Sequence, residues 1–144
     1  MPKVARSFSI SPSPQTVLGY LVDFSRAEQW DPGTVTCTRE GDGPITVGTS
    51  WRNVSKVAGR STELTYTLEK QTPDTLVFVG RNKGATSTDT ITVVPDGAGS
   101  KLTYAADLEL HGAAKLIGPA MKVIFERLAS DTEKQLKVVL NGLS

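Results

Sequence analysis

Few residues in this chain have the types and spacing to do chemistry. One histidine, His111, and one cysteine, Cys37, are present, so no cluster has zinc-ligand spacing and no Cys–His pair is set up for nucleophilic attack. The carboxylate that stands out is Asp89. It lies in Ala85-Thr86-Ser87-Thr88-Asp89-Thr90-Ile91-Thr92-Val93, where threonines alternate with a series ending in Ile91 and Val93. A carboxylate sharing a face with Ile91 and Val93 loses hydration, which raises its pKa and equips it to exchange protons with a bound molecule. The same pattern also fits a buried aspartate bonded to backbone amides or to a tyrosine. Both readings stand at this level.

Asn53, Tyr66, Tyr104 and Trp51 could orient a carbonyl or hydroxyl, because small-molecule pockets combine apolar walls with a few convergent polar groups. Alternatively these aromatics fill a core and find one hydrogen-bond partner each. Trp30 reads as a rim residue or as a packing anchor. Met121 and Phe125 read as core residues that could also line a cavity mouth. His111 falls on the parity of Asp107 and Glu109, an outer face, and Cys37 reads as a small apolar side chain in a strand.

These residues need elements to hold them. Lys3 to Ile10 alternates as a strand, with Val4, Phe8 and Ile10 on one parity. Ser13-Pro14 supplies a helix cap and a first-turn proline, followed by Val17, Leu18, Leu21 and Val22 at helical spacing, with an end expected near Asp23. A second helical turn over 25–30 stops at Asp31-Pro32-Gly33. Period-two patterning then places strands near 34–40, 47–57, 60–71, 75–82, 85–95 and 101–111. Beyond Gly112, Ile117, Met121, Ile124, Leu128, Leu136 and Val139 form the apolar stripe of a long amphipathic helix, closed by Gly142.

Hairpin turns fix which residues share a face. A two-residue turn at Ala58-Gly59 sets Trp51 opposite Tyr66 and Asn53 opposite Leu64. A turn at 72–74 sets Leu68 opposite Phe78 and Tyr66 opposite Gly80. A turn at Lys83-Gly84 sets Phe78 opposite Asp89 and Leu76 opposite Ile91. A four-residue loop over 97–100 matches Ile91 with Ala106 and Asp89 with Leu108. One face therefore carries Trp51, Asn53, Leu64, Tyr66, Phe78, Asp89, Ile91, Tyr104 and Leu108, with Asp89 its only charge. The opposite face is polar and solvated. The stripe on the terminal helix is the available cover, an α+β arrangement.

A chain of 144 residues suits one domain, here 1–144, which at this size buries roughly 70% of its unfolded surface. Sixteen basic residues against fifteen acidic ones give a net charge of +1. The basic residues are dispersed, which argues against nucleic acid as a partner. No apolar run has membrane-spanning length, the N-terminal residues lack a signal-peptide pattern, and one cysteine allows no internal disulfide; a cytoplasmic location is expected. Oligomeric state is left open.

Several segments carry a resemblance: Phe24-Ser25-Arg26-Ala27-Glu28-Gln29-Trp30-Asp31-Pro32 at the corner, Val47-Gly48-Thr49-Ser50-Trp51-Arg52 entering a strand, 63–73 before a turn, and Gly99-Ser100-Lys101-Leu102-Thr103-Tyr104. Their order and spacing span the whole chain. The chain resembles the START/polyketide-cyclase (SRPBCC) superfamily, which implies a helix-grip fold and a cavity between sheet and terminal helix. That superfamily includes lipid and sterol carriers and aromatic polyketide cyclases. Fold alone does not choose among such activities. The leading expectation is binding or transport of a lipid-like or polyketide-like molecule without metal or other cofactor. A cyclase or dehydratase using Asp89 as acid/base, with Tyr66, Tyr104 and Asn53 stabilising an enolate, is the alternative, and a protein-interaction module using the outer sheet face is a third.

Overall fold

The computed structural model describes residues 3–57, 59–112 and 118–143, with side chains except at 57 and 118–121. Ala58, Ile117 and the side chain of Met121 lie outside the described residues. The described residues form seven strands: β1 (Lys3–Ile10), β2 (Thr34–Glu40), β3 (Ser50–Val57), β4 (Arg60–Gln71), β5 (Thr75–Arg81), β6 (Ala85–Asp96) and β7 (Gly99–Leu110). Helices α1 (Pro14–Leu21) and α2 (Ala27–Trp30), with a 3-10 turn Phe24–Arg26 between them, follow β1, and α3 (Gly118–Asn141) ends the fold. The strands make one antiparallel sheet in the order β1-β7-β6-β5-β4-β3-β2, so β1 and β2 are its edges. Among the described residues, no helix is long and apolar enough to cross a membrane.

The strand alternation builds two unlike faces. Trp51, Leu68, Phe78, Ile91 and Leu102 are fully buried on one, while Arg52, Glu63, Thr65 and Glu69 are exposed on the other. Three of the expected registers are present: Trp51 opposite Tyr66, Leu68 opposite Phe78, and Phe78 opposite Asp89. A bulge between Leu68 and Lys70 shifts the last pairs of β4.

The β6–β7 hairpin differs from expectation. It closes at Gly97-Ala98, pairing Asp96 with Gly99, so Asp89 faces Ala106 rather than Leu108 and Ile91 faces Tyr104. The difference is two residues, which preserves which side chain points to which face. The tighter turn is favoured by Asp96-Gly97, with Gly97 in the left-handed region at φ 60°. Gly99 is required where β7 begins, because a Cβ there would collide with the Ile10 carbonyl. Ser100 seals the same crossing by donating to the Pro12 carbonyl at 2.7 Å.

The corner after α1 supplies the filling for one end of the inner face. Helix α1 ends at Leu21 because Asp23 turns to cap the next element, accepting from the Ser25 backbone N–H at 3.0 Å. The same oxygen accepts from Trp51 Nε1 at 3.1 Å. Burial alone would raise the Asp23 carboxyl, but these donors hold it below its usual value. Phe24 is thereby driven into the sheet, its ring centroid 4.5 Å from Tyr66, 4.6 Å from Phe78, 5.9 Å from Trp30 and 6.2 Å from Trp51.

Helix α3 buries Ala129, Thr132, Leu136 and Leu140, with Ile124, Phe125, Leu128 and Val139 half-buried beside them. The seam is thus rotated from the expected stripe, because small Ala129 and polar Thr132 occupy central positions that apolar periodicity passes over. Truncating Phe24 to alanine is predicted to cost about 3–5 kcal/mol, because it opens a cavity bordered by four aromatic rings. A lowered urea midpoint with unchanged m-value would show it; a loss below about 1 kcal/mol would mean the neighbouring rings collapse into the space.

Candidate functional site

Where the corner does not fill the inner face, the sheet and α3 enclose a cavity of about 510 Å³, within the roughly 300–1,000 Å³ of small-molecule sites. Leu64, Tyr66, Ser87, Asp89, Tyr104 and Leu108 line the sheet side, and Ile124, Phe125, Leu128, Ala129 and Thr132 line the helix side. Asp31 and Gly33 contribute from the corner. Arg60, Thr62 and Asn82, all exposed, mark its mouth at the β3–β4 and β5–β6 turns.

Asp89 is 5% exposed and lines this cavity. Burial, then the negative charge of Asp31, push its pKa up to about 7 against the opposing pull of the Ser87 and Tyr104 hydroxyls. Those donors are distant, with Ser87 Oγ at 3.4 Å and Tyr104 Oη at 3.5 Å. Burial and the nearby Asp89 carboxylate raise Tyr66 and Tyr104 well above the usual phenol value. Both therefore keep their protons at neutral pH and can donate.

Asp31 is a site residue that sequence reading treated only as part of a chain breaker. It keeps some solvent exposure as a residue, yet it lines the cavity, and burial raises the pKa of its carboxyl. The Gly33 amide at 3.1 Å and the Thr34 hydroxyl at 2.9 Å oppose that rise and fix the carboxyl. Asn53 extends the chain, donating to Thr34 Oγ1 at 3.0 Å and accepting from Ser55 at 2.6 Å. The Asp-x-Gly-Thr spacing, with the side chain accepting two and three residues on, was the available signal.

The other candidates divide between wall and support. Leu64, Tyr66, Asp89, Tyr104, Leu108 and Phe125 line the cavity. Trp51, Phe78 and Ile91 are buried in the filled half, and Trp30 packs edge-on against Tyr104 with ring centroids 6.1 Å apart. Asn53 is buried in the network that holds Asp31. His111 pairs with the Thr86 hydroxyl at 3.0 Å, away from the cavity lining. Cys37 is buried and its thiol is pushed up to about 12, chiefly by burial, so it remains protonated.

The raised Asp89 pKa makes stability pH-dependent. From its ordinary 3.8 to about 7, the folded chain binds more protons at this site than the unfolded chain, so the site's contribution falls as pH rises through that window. Asp89→Asn removes this dependence. Relative to wild type, the variant should gain stability between pH 4 and pH 8, reaching about 3–5 kcal/mol at the upper end. Denaturant titrations at both pH values test it, and a constant difference would mean the carboxyl ionises as freely folded as unfolded.

The chain matches the family model described as polyketide cyclase / dehydrase and lipid transport over residues 1–140. No curated protein matches it in sequence. Among solved structures it is similar to a START superfamily protein from Mycobacterium smegmatis, with TM-score 0.78, 18% identity, and 99% of each chain covered. It is also similar to the Zhui aromatase/cyclase from Streptomyces sp. R1128, with TM-score 0.75 and 12% identity over 97% of this chain and 91% of that one. A third likeness is to ginseng major latex-like protein 151 from Panax ginseng, with TM-score 0.68 and 10% identity over 96% of each. At these identities the structural likenesses establish the helix-grip fold, and with the family model matching nearly end to end, the chain belongs to the polyketide cyclase/dehydrase and lipid-transport family.

Proposed function

We propose that this protein binds a hydrophobic small molecule, lipid-like or polyketide-like, between the sheet and α3. The observation that carries the reading is the cavity of about 510 Å³ with apolar walls and a few polar groups converging from Asp31, Tyr66, Asp89 and Tyr104. In this reading Leu64, Leu108 and Phe125 supply contact area, while Tyr66, Asp89 and Tyr104 orient the ligand. Trp30, Trp51, Asn53, Phe78 and Ile91 keep those groups in place, and Met121 belongs to the same helix as Phe125.

A second reading is favoured by one feature, a carboxyl with pKa about 7 beside two protonated tyrosines. Such a group suits acid/base work on a polyketide-like substrate, with Asp89 accepting a proton from an activated carbon and a tyrosine hydroxyl donating to the developing enolate oxygen. Binding and turnover separate through Asp89→Asn. Loss of turnover with substrate still bound would support the enzyme, and binding without turnover in the wild type would leave the carrier.

The neutral fluorophore N-phenyl-1-naphthylamine should enter the wild-type cavity with blue-shifted emission. Tyr66 lies flat over Gly80, where an added Cβ would come within 2.7 Å of its ring, so Gly80→Ala drives the ring away from the sheet. That variant should weaken the probe roughly tenfold and destabilise the fold by about 1–3 kcal/mol. No uptake by wild type, with no co-purified molecule by native mass spectrometry, would remove the binding reading.

A further inference from the structure

We propose that the cavity selects an apolar molecule bearing a protonated amine, with the ammonium held between Asp31 and Asp89. The inference rests on the binding reading and adds the ligand's chemical class. Its first support is charge. Among the described lining residues, the carboxyl groups are those of Asp31 and Asp89, and the one cation is Arg60, exposed at the mouth, where water and salt screen it. The α3 wall of Ile124, Phe125, Leu128, Ala129 and Thr132 carries no charge, and neither does Val4 from β1. Arg6 lies on the inner face of β1 opposite Tyr104, but its guanidinium is engaged by Glu126 at 2.9 Å and Glu133 at 3.9 Å. The buried carboxylates therefore have no described countercharge of their own.

The second support is hydrogen bonding. A carboxylate offers about four acceptor positions, and Asp89 receives two donors at 3.4 and 3.5 Å, both beyond the usual O–H···O distance. Asp31 receives two good ones, at 3.1 and 2.9 Å, and retains open acceptor positions. An ammonium brings three donors and a positive charge to a place that lacks both. A carboxylate ligand would instead add a third negative charge to the same low-dielectric space. Among the described residues, the titratable and hydroxyl groups that interact with Asp89 are Asp31, Tyr66, Tyr104 and Ser87, so an arriving cation favours its ionised form and displaces its proton to solvent.

The test compares decylamine, decanol and decanoate as competitors for N-phenyl-1-naphthylamine, below their aggregation concentrations. At pH 8 the amine should bind roughly tenfold more tightly than the alcohol, and decanoate more weakly than either. Between pH 6 and pH 8 the amine's affinity should rise as Asp89 ionises, since an alkylamine stays protonated until about pH 10, while the alcohol's affinity stays level. Asp89→Asn and Asp31→Asn should each lower the amine-to-alcohol ratio. Decanoate binding as tightly as decylamine, or an amine preference that ignores pH and both substitutions, overturns this inference and leaves the binding reading intact. Failure of the probe itself to bind removes both.

Discussion

The structure turns on a mismatch of coverage: seven strands present one apolar face, and α3, the long helix laid against it, has a partly polar seam. A sheet face cannot be left wet on its apolar side without losing the burial that drives folding. The mismatch is met unequally. At one end the corner between α1 and β2 inserts Phe24 against Trp51 and Phe78, with Trp30 edge-on to Phe24, and the space closes. At the other end Ala129 and Thr132 face the sheet where bulky residues would be needed to fill it. The hollow is a consequence of side-chain size along α3 as much as of sheet curvature.

Much of this was legible because parity is robust. Strand alternation and turn positions assigned Tyr66, Asp89 and Tyr104 to the inner face, and the two-residue difference in the β6–β7 pairing left that assignment untouched. What parity cannot say is which end of a face is filled. Trp51 and Phe78 share the face with Tyr104 and Leu108, yet the first two lie in the packed half and the last two border the cavity. That division depends on where the corner docks, a long-range event set by contacts such as Trp51 Nε1 to Asp23. Asp31 was missed for the same reason: its local turn was readable, but its approach to Asp89 arises only when β2 and the sheet centre come together. The helix seam was misplaced because Ala129 and Thr132 are buried without being strongly apolar.

The family model and the solved structures agree on the fold, which leaves the chemistry to individual residues. Two carboxyls with raised pKa values in one apolar enclosure are costly to keep ionised. The surroundings do little to relieve Asp89, whose neighbours are hydroxyls at the limit of hydrogen-bond range. Asp31 is treated differently, gripped by Gly33 and Thr34 and braced through Asn53. The pair is therefore asymmetric, one carboxyl fixed and the other loosely held, a division of labour that suits positioning on one side and adjustment on the other.

Arg6 gives the enclosure a property of its own. It reaches from an edge strand to Glu126, Ser130 and Glu133, so the segment of α3 that roofs the cavity is latched to β1 by partly solvated ions. Moving that roof requires breaking charge pairs that water and dissolved salt can replace, in addition to separating packed surfaces. The attachment of α3 to the sheet edge on this side therefore carries a part that weakens as ionic strength rises, beside a packed part that does not.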